Sequence, residues 1–240
     1  GQAGVAITDL GNLMGAFHFN RAVMNVPGNR EAYEHNQKVQ AGEIDEPRKE
    51  YPFVGVIGCE FYVCEDRLDR SRKDDGYQIV VLAKNKNGYH NLAKLSSEGM
   101  LNGYYYVPRI DKSVLLEHKE DLIVLSGGLR GEVQHLYLNV GEAQARTALE
   151  WWHEHFGEDF YLELNRHGLD EENHVNIQLL KYAEEYGIKY IAANNTFYLT
   201  QDNAEAHDIL LCVKEGAQKS TPIGRGRGFR YGFPNQEFYF

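Results

Sequence analysis

Asp9, Glu60 and His167 are the side chains of metal-binding type that stand where an α/β protein presents its chemistry. Asp9 closes the apolar run "GVAITD" (4–9), Glu60 lies in "FVGVIGCEFYVC" (53–64), and His167 follows "FYLELN" (160–165). Two carboxylates and an imidazole make a thin, oxygen-biased donor set for a divalent cation. Each also has a plain structural use. Asp9 can cap the helix that follows it, Glu60 can pair with a basic residue, and His167 can be a loop residue. The tip of "IKYIAAN" (188–194) is the odd one: Asn194, Asn195, Thr196 and Phe197 offer neither carboxylate nor imidazole there.

A second kind of chemistry is written in "IGRGRGFRYGF" (223–233), where Arg225, Arg227 and Arg230 could meet phosphates and the aromatics could stack on bases. The alternative is a basic connector, which a chain of net charge −10 favours. His153 and His155 are two apart on a helical pattern and point to different faces, so they cannot chelate one ion. His18 and His207 sit in apolar helical stretches as core or boundary residues, and His90 on a helix surface. Trp151 and Trp152 are adjacent, so one is expected inside and the other nearer the surface. No nucleophile elbow, phosphate loop or C-x-x-C pair is present.

The elements that must position these residues alternate. Strand-like runs occur at 4–9, 53–64 (interrupted at Gly58), 77–83, 122–127, 160–165 and 188–194. Their near-continuous apolar character predicts strands buried on both faces and running parallel. Between them lie helical patterns at 11–25, 87–101, 111–120, 142–156, 170–186 and 201–215, several stopping at glycine. The polar stretch 25–52 reads as a surface loop with one turn of helix. Strand and helix in turn imply βαβ units in one parallel sheet or barrel. At the carboxyl ends of such strands ligands gather, which is why the residues above matter.

Composition sets the remaining bounds. A chain of 240 residues, 42% apolar and 25% charged, has the make-up of a globular protein. No apolar run reaches the ~20 residues of a membrane span, and the basic-then-apolar layout of a signal peptide is missing. Three cysteines cannot all pair, which predicts reduced thiols and a cytoplasmic setting. We expect an α/β barrel domain over 1–213 and a basic connector over 214–240. The abrupt strand at the start and the aromatic "NQEFYF" at the end read as the two cut ends of something longer.

In order, "GVAITDLGNLMGAFHF", "VIGCEFYV", "VVLAKNKNGYHNLAKLSS", "GYYYVPRIDKSVLLEH", "DLIVLSGGLRGEV", "FGEDFYLELNRHGL" and "DNAEAHDILLCV" leading to "NQEFYF" resemble a known family. It is the polymerase-and-histidinol-phosphatase (PHP) domain at the N-terminus of the alpha subunit of bacterial DNA polymerase III. The resemblance covers nearly the whole chain. It implies a distorted (β/α)7 barrel whose first strand and helix, with the family's H-x-H motif, lie before Gly1. Metal-binding members read T-D-H-G where this sequence has Thr8-Asp9-Leu10-Gly11. They have His at Gln78, Cys or His at Gly128, and N-D-x-H at Asn194-Asn195-Thr196-Phe197.

On that comparison Asp9 and Glu60 match ligand positions, with His167 a further candidate, and ligands are lost at Leu10, Gln78, Gly128, Asn195 and Phe197. The resemblance therefore implies a vestigial site with no cofactor in this fragment. The full-length protein would be a DNA-directed DNA polymerase with magnesium in an active site elsewhere in the chain. DNA, a proofreading exonuclease subunit, a sliding clamp and a clamp loader are the implied partners. The rival expectation is a metal-dependent phosphoesterase of the same superfamily.

Overall fold

The structure, a computed structural model, describes residues 2–224 and 226–240. Its elements are β1 (Gly4–Leu10), α1 (Ala16–Met24), α2 (Asn29–Gln40), β2 (Val54–Cys64), β3 (Tyr77–Ala83) and α3 (Lys86–Leu101). There follow β4 (Tyr104–Tyr105), β5 (Val107–Asp111), α4 (Lys112–Glu117), β6 (Leu122–Leu125), α5 (Glu132–Asn139) and α6 (Glu142–Phe156). The chain finishes with β7 (Phe160–Asn165), α7 (Asp170–Tyr186), β8 (Lys189–Ala193) and α8 (Ala204–Glu215). It divides into two compact units, Gly1–Tyr161 and Leu162–Phe240.

In the first unit β2 is the hub. Its eleven residues leave room for two neighbours on one edge: β1 runs parallel along Val54–Glu60, and β5 parallel along Tyr62–Cys64. On the other edge lies β3, antiparallel, and beyond it β6, again antiparallel. The expectation of one parallel sheet is thus corrected at β3. The connection from β2 to β3, residues 65–76, contains no helix, and a short connection without a crossover helix reverses the strand. Apolar continuity reported burial on both faces rather than strand direction. Beyond β6, the first residues of β7 resume parallel pairing through Phe160 and Tyr161.

The face carrying Cys59, Phe61, Val63, Ile79, Val81 and Val124 is fully buried. Leu92 and Leu95 of α3 and Leu149 and Trp152 of α6 complete this core. Gly58 does not break β2. A Cβ there would stand 2.7 Å from the Val81 carbonyl oxygen and 2.5 Å from Leu82, so this glycine serves close strand approach. Trp152 is buried with its indole N–H on Glu132 at 2.7 Å, while Trp151 is half-buried, as their adjacency requires.

Two stretches depart from the sequence expectation. Residues 25–52 hold three turns of helix, α2, rather than a loop with one turn. Its inward side carries only Ala32 and Val39 as apolar residues beside Asn29 and Asn36, too few for an apolar stripe to announce it. It is held by side-chain bonds to the chain around it: Asn29 donates to the Val23 and Phe53 carbonyls and accepts from Phe53 N–H. Asn36 likewise brackets Lys49. The short β4–β5 hairpin and α5 were also not expected; each is too brief to show a period. His18, expected in the core or at its boundary, is exposed, because α1 turns Ala16 inward and leaves Phe17 and His18 outside.

In the second unit β8 lies next to β7. Here α7 starts on Asp170, Glu171 and Glu172, which suit the positive helix end, and stops at Gly187 in the left-handed region at φ 67°. It buries Val175, Leu179 and Tyr182. The residues after β8 are laced to the chain end: Phe197 N–H donates to the Phe238 carbonyl at 2.9 Å and Phe240 N–H to the Tyr198 carbonyl at 3.0 Å. All three cysteines are free and buried. Among the described residues no helix is long and apolar enough to cross a membrane.

Candidate functional site

Strand register decides what Asp9 and Glu60 can share. In the parallel β1–β2 pair Asp9 stands beside Cys59, and Leu10 beside Glu60. Side chains alternate along a strand, so Asp9 faces one side of the sheet and Glu60 the other. Asp9 accordingly accepts the Gly15 N–H at 2.9 Å, where α1 begins. A Cβ on Gly15 would touch both Asp9 Oδ2 and Ile7 at 2.6 Å, placing this aspartate under the helix. Its structural use, tying down the start of α1, is the one the geometry displays.

Glu60 shares its face with Tyr62 and with Gln78 and Val80 of β3. Gln78 sits diagonally across. With its amide turned to meet both neighbours, its nitrogen donates to Glu60 Oε1 at 3.3 Å and its oxygen accepts from Arg130 Nη1 at 3.3 Å. A carboxylate, a neutral amide and a guanidinium thus stand in a row, and the arginine supplies positive charge in the neighbourhood of Glu60. The loop carrying Arg130 is fixed from below: Gln78 N–H donates to the Arg130 carbonyl at 2.9 Å, and Gln134 donates to Ser126 Oγ at 2.7 Å and to the Gly127 carbonyl at 2.5 Å. Gly128 lies in this loop and brings only its carbonyl, which accepts from Gly131 N–H.

His167 belongs to the second unit and is 2% exposed. Every polar atom it owns is engaged. Its Nδ1 lies 2.7 Å from Glu172 Oε1, and its backbone N–H donates to Glu172 Oε2 at 2.5 Å. The Asn195 N–H donates to its Nε2 at 3.2 Å, so Nε2 is the acceptor and Nδ1 carries the proton that Glu172 accepts. Its carbonyl accepts from Asn235 at 2.6 Å, and the Phe238 ring stacks on the imidazole at 4.4 Å.

Burial pushes the Glu172 carboxyl up, but the His167 side-chain and backbone donors outweigh it and hold the group below the usual carboxylate range. Nearby Glu163 is raised by burial, with partial relief from the Asn165 amide at 2.8 Å. Phe197 does not approach an ion-binding role. Its ring joins His207, Phe233 and Phe238 in an aromatic cluster.

The structure therefore turns Asp9 and Glu60 to opposite faces and surrounds His167 with partners of its own unit. Among the described residues no group of three or more His, Cys, Asp or Glu is arranged to hold a metal ion. Sequence reasoning missed Glu172, which read only as a helix-start acid, and Arg130, which carried no motif. The five-residue spacing from His167 to Glu172, across the loop into α7, is the signal that was available.

Of the arginines considered for phosphate contact, Arg225 lies outside the described residues. Arg227 is exposed. Arg230 is buried, gives both terminal nitrogens to Asp208 at 2.6 and 2.9 Å, and donates from Nε to the Thr221 carbonyl at 2.9 Å. Its guanidinium is committed within the chain. Asp208 is held below the usual carboxylate range by that hydrogen bond.

Comparison with known proteins adds the family context. A profile of the PHP domain matches residues 1–167. The chain is 36% identical to DNA polymerase III subunit alpha of Treponema pallidum, over all of this chain and 18% of that protein. It is 36% identical to the same subunit of Deinococcus radiodurans, over 98% of this chain and 16% of that protein. For Thermus aquaticus the figures are 37%, 77% and 15%. The chain spans less than a fifth of the length of these curated relatives.

Proposed function

Because the chain belongs to the PHP domain family, we propose that it is the PHP domain of a replicative DNA polymerase subunit, and that it works as a scaffold without hydrolytic chemistry of its own. The names and identities of the relatives support the first part. The full-length protein then joins deoxynucleoside triphosphates to a primer on template DNA, with magnesium held by residues outside 1–240. In that setting the domain braces the polymerase and docks a proofreading exonuclease subunit, and the whole works with a sliding clamp and clamp loader in the cytoplasm.

The engagement of His167 carries the second part. A histidine ligates through a ring-nitrogen lone pair, and here Nε2 already accepts an amide N–H while Nδ1–H serves Glu172. The other candidate positions, Leu10, Gln78, Gly128, Asn195 and Phe197, are leucine, amides, glycine and phenylalanine, all poor ligands for a divalent ion. Asp9 serves α1, and Arg130 supplies positive charge near Glu60. The donor set does not fit a catalytic metal centre, so no hydrolytic step is derived from it.

The test uses the full-length protein incubated with manganese or zinc, desalted, and assayed for bound metal and for phosphate release from a model ester. No phosphate release from the model ester is expected with either metal, alongside primer extension dependent on magnesium. Stoichiometric metal with turnover would restore the phosphoesterase reading. Failure of primer extension would sink the polymerase assignment. Docking is checked by co-purification of an exonuclease subunit with the intact protein, and by loss of that subunit when the PHP domain is deleted.

A further inference from the structure

The outward side of α8 is apolar where a surface helix should be charged. Leu211 and Cys212 point inward and are buried. On the opposite side Ile209, Leu210 and Val213 fall with Ala206 at spacings of three and four, one continuous stripe, and they are 47%, 63% and 74% exposed. A helix apolar on both sides belongs in an interior. The helix is not a loose end. Asp208 and Glu205 pair with Arg230 and Lys219, which fastens its flank to the segment that follows. Its stripe is therefore a fixed feature of the second unit.

The size of the stripe says what covers it. A twelve-residue helix is about 18 Å long, and a stripe about 10 Å wide presents on the order of 200 Å². A stable interface between separate proteins takes about 800 Å² from each partner. A second copy or a free subunit bound by this stripe alone falls well short. A segment of the same polypeptide does not need that area, because tethering supplies a local concentration that a free partner lacks. The matched relatives carry more than four fifths of their length outside the stretch they share with this chain.

We infer that the Ala206–Ile209–Leu210–Val213 stripe of α8 is an intrachain docking face, covered by an apolar segment of the longer polypeptide. The inference rests on the proposed reading of the chain as one domain of a larger polymerase subunit.

The test is cysteine labelling of the full-length protein. Val213→Cys and Leu210→Cys are compared with Glu184→Cys, an exposed position on α7, using a maleimide reagent under native conditions. Expected is labelling at 213 and 210 at least tenfold slower than at 184, at every protein concentration tried. Equal rates overturn the inference. Protection that grows with protein concentration also overturns it, in favour of a second copy, as does protection that appears only on adding another subunit. Primer extension measured on the same preparations shows separately whether the polymerase assignment stands.

Discussion

Arg109 is the buried charge on which a large surface loop depends, and replacing it tests that statement. Its side chain is 0% exposed. The guanidinium donates from Nε to the Gly103 carbonyl at 3.0 Å, from Nη1 to Asp74 at 3.2 Å, and from Nη2 to Arg67 and Asp69 at 2.9 Å each. Three of these acceptors belong to the 65–76 connection, which otherwise has few apolar residues to hold it. A hydrogen bond to a charged group contributes about 1.5–3 kcal/mol, so four set a ceiling of roughly 6–12 kcal/mol. The loop carbonyls regain water once released, and Gly103 is the acceptor left inside. The expected loss for Arg109→Met is therefore about 3–5 kcal/mol, the range seen on breaking buried charged networks.

Urea denaturation measures that loss as a shift in midpoint. Limited trypsin digestion reads the loop directly, because Arg70, Arg72 and Lys73 become cleavable when it opens. Arg109→Lys keeps the charge but loses the planar fork, and should recover less than half the stability. A loss under ~1 kcal/mol with unchanged trypsin resistance would show that the loop holds itself and that the argument is wrong.

Other outcomes follow from the same geometry. Phe238→Ala removes the ring stacked on His167; because that ring is only half-buried, the cost should be about 1–2 kcal/mol rather than the ~3–5 of a fully buried phenylalanine, with faster proteolysis of residues 233–240; an unchanged digestion pattern would show that the lacing of backbone bonds alone suffices. Asp111 is pushed up by burial but held low overall by Ser113, the Val114 N–H and Arg67, so its folded value lies below its unfolded one. Its contribution to stability is complete above about pH 4 and fades as pH falls through the folded value. Asp111→Asn should flatten the acid limb of a stability-versus-pH curve, and a limb of unchanged slope refutes the attribution. Burial raises the Cys64 thiol to about 11 and raises Cys59 further, so native protein should resist alkylation at both until denaturant is added. Prompt modification of either under native conditions would contradict the burial described.

The sequence by itself determined the long elements and much of the donor chemistry. Strand β3, helices α6 and α7 and the ends of β7 follow from apolar runs and glycine stops, because burial and capping act on local residues. The weak metal-binding character of Leu10, Gln78, Gly128, Asn195 and Phe197 is likewise a property of residue type. What only the tertiary structure decided depends on pairing between distant segments. The reversal at β3 follows from a connection without a helix, and α2 from polar bonds reaching to residues 49 and 53. The faces of Asp9 and Glu60 were set by a one-residue difference in strand register, which no composition records. The state of His167 was set by Glu172, Asn195 and Phe238, up to 71 residues away in sequence and brought to one imidazole by the fold.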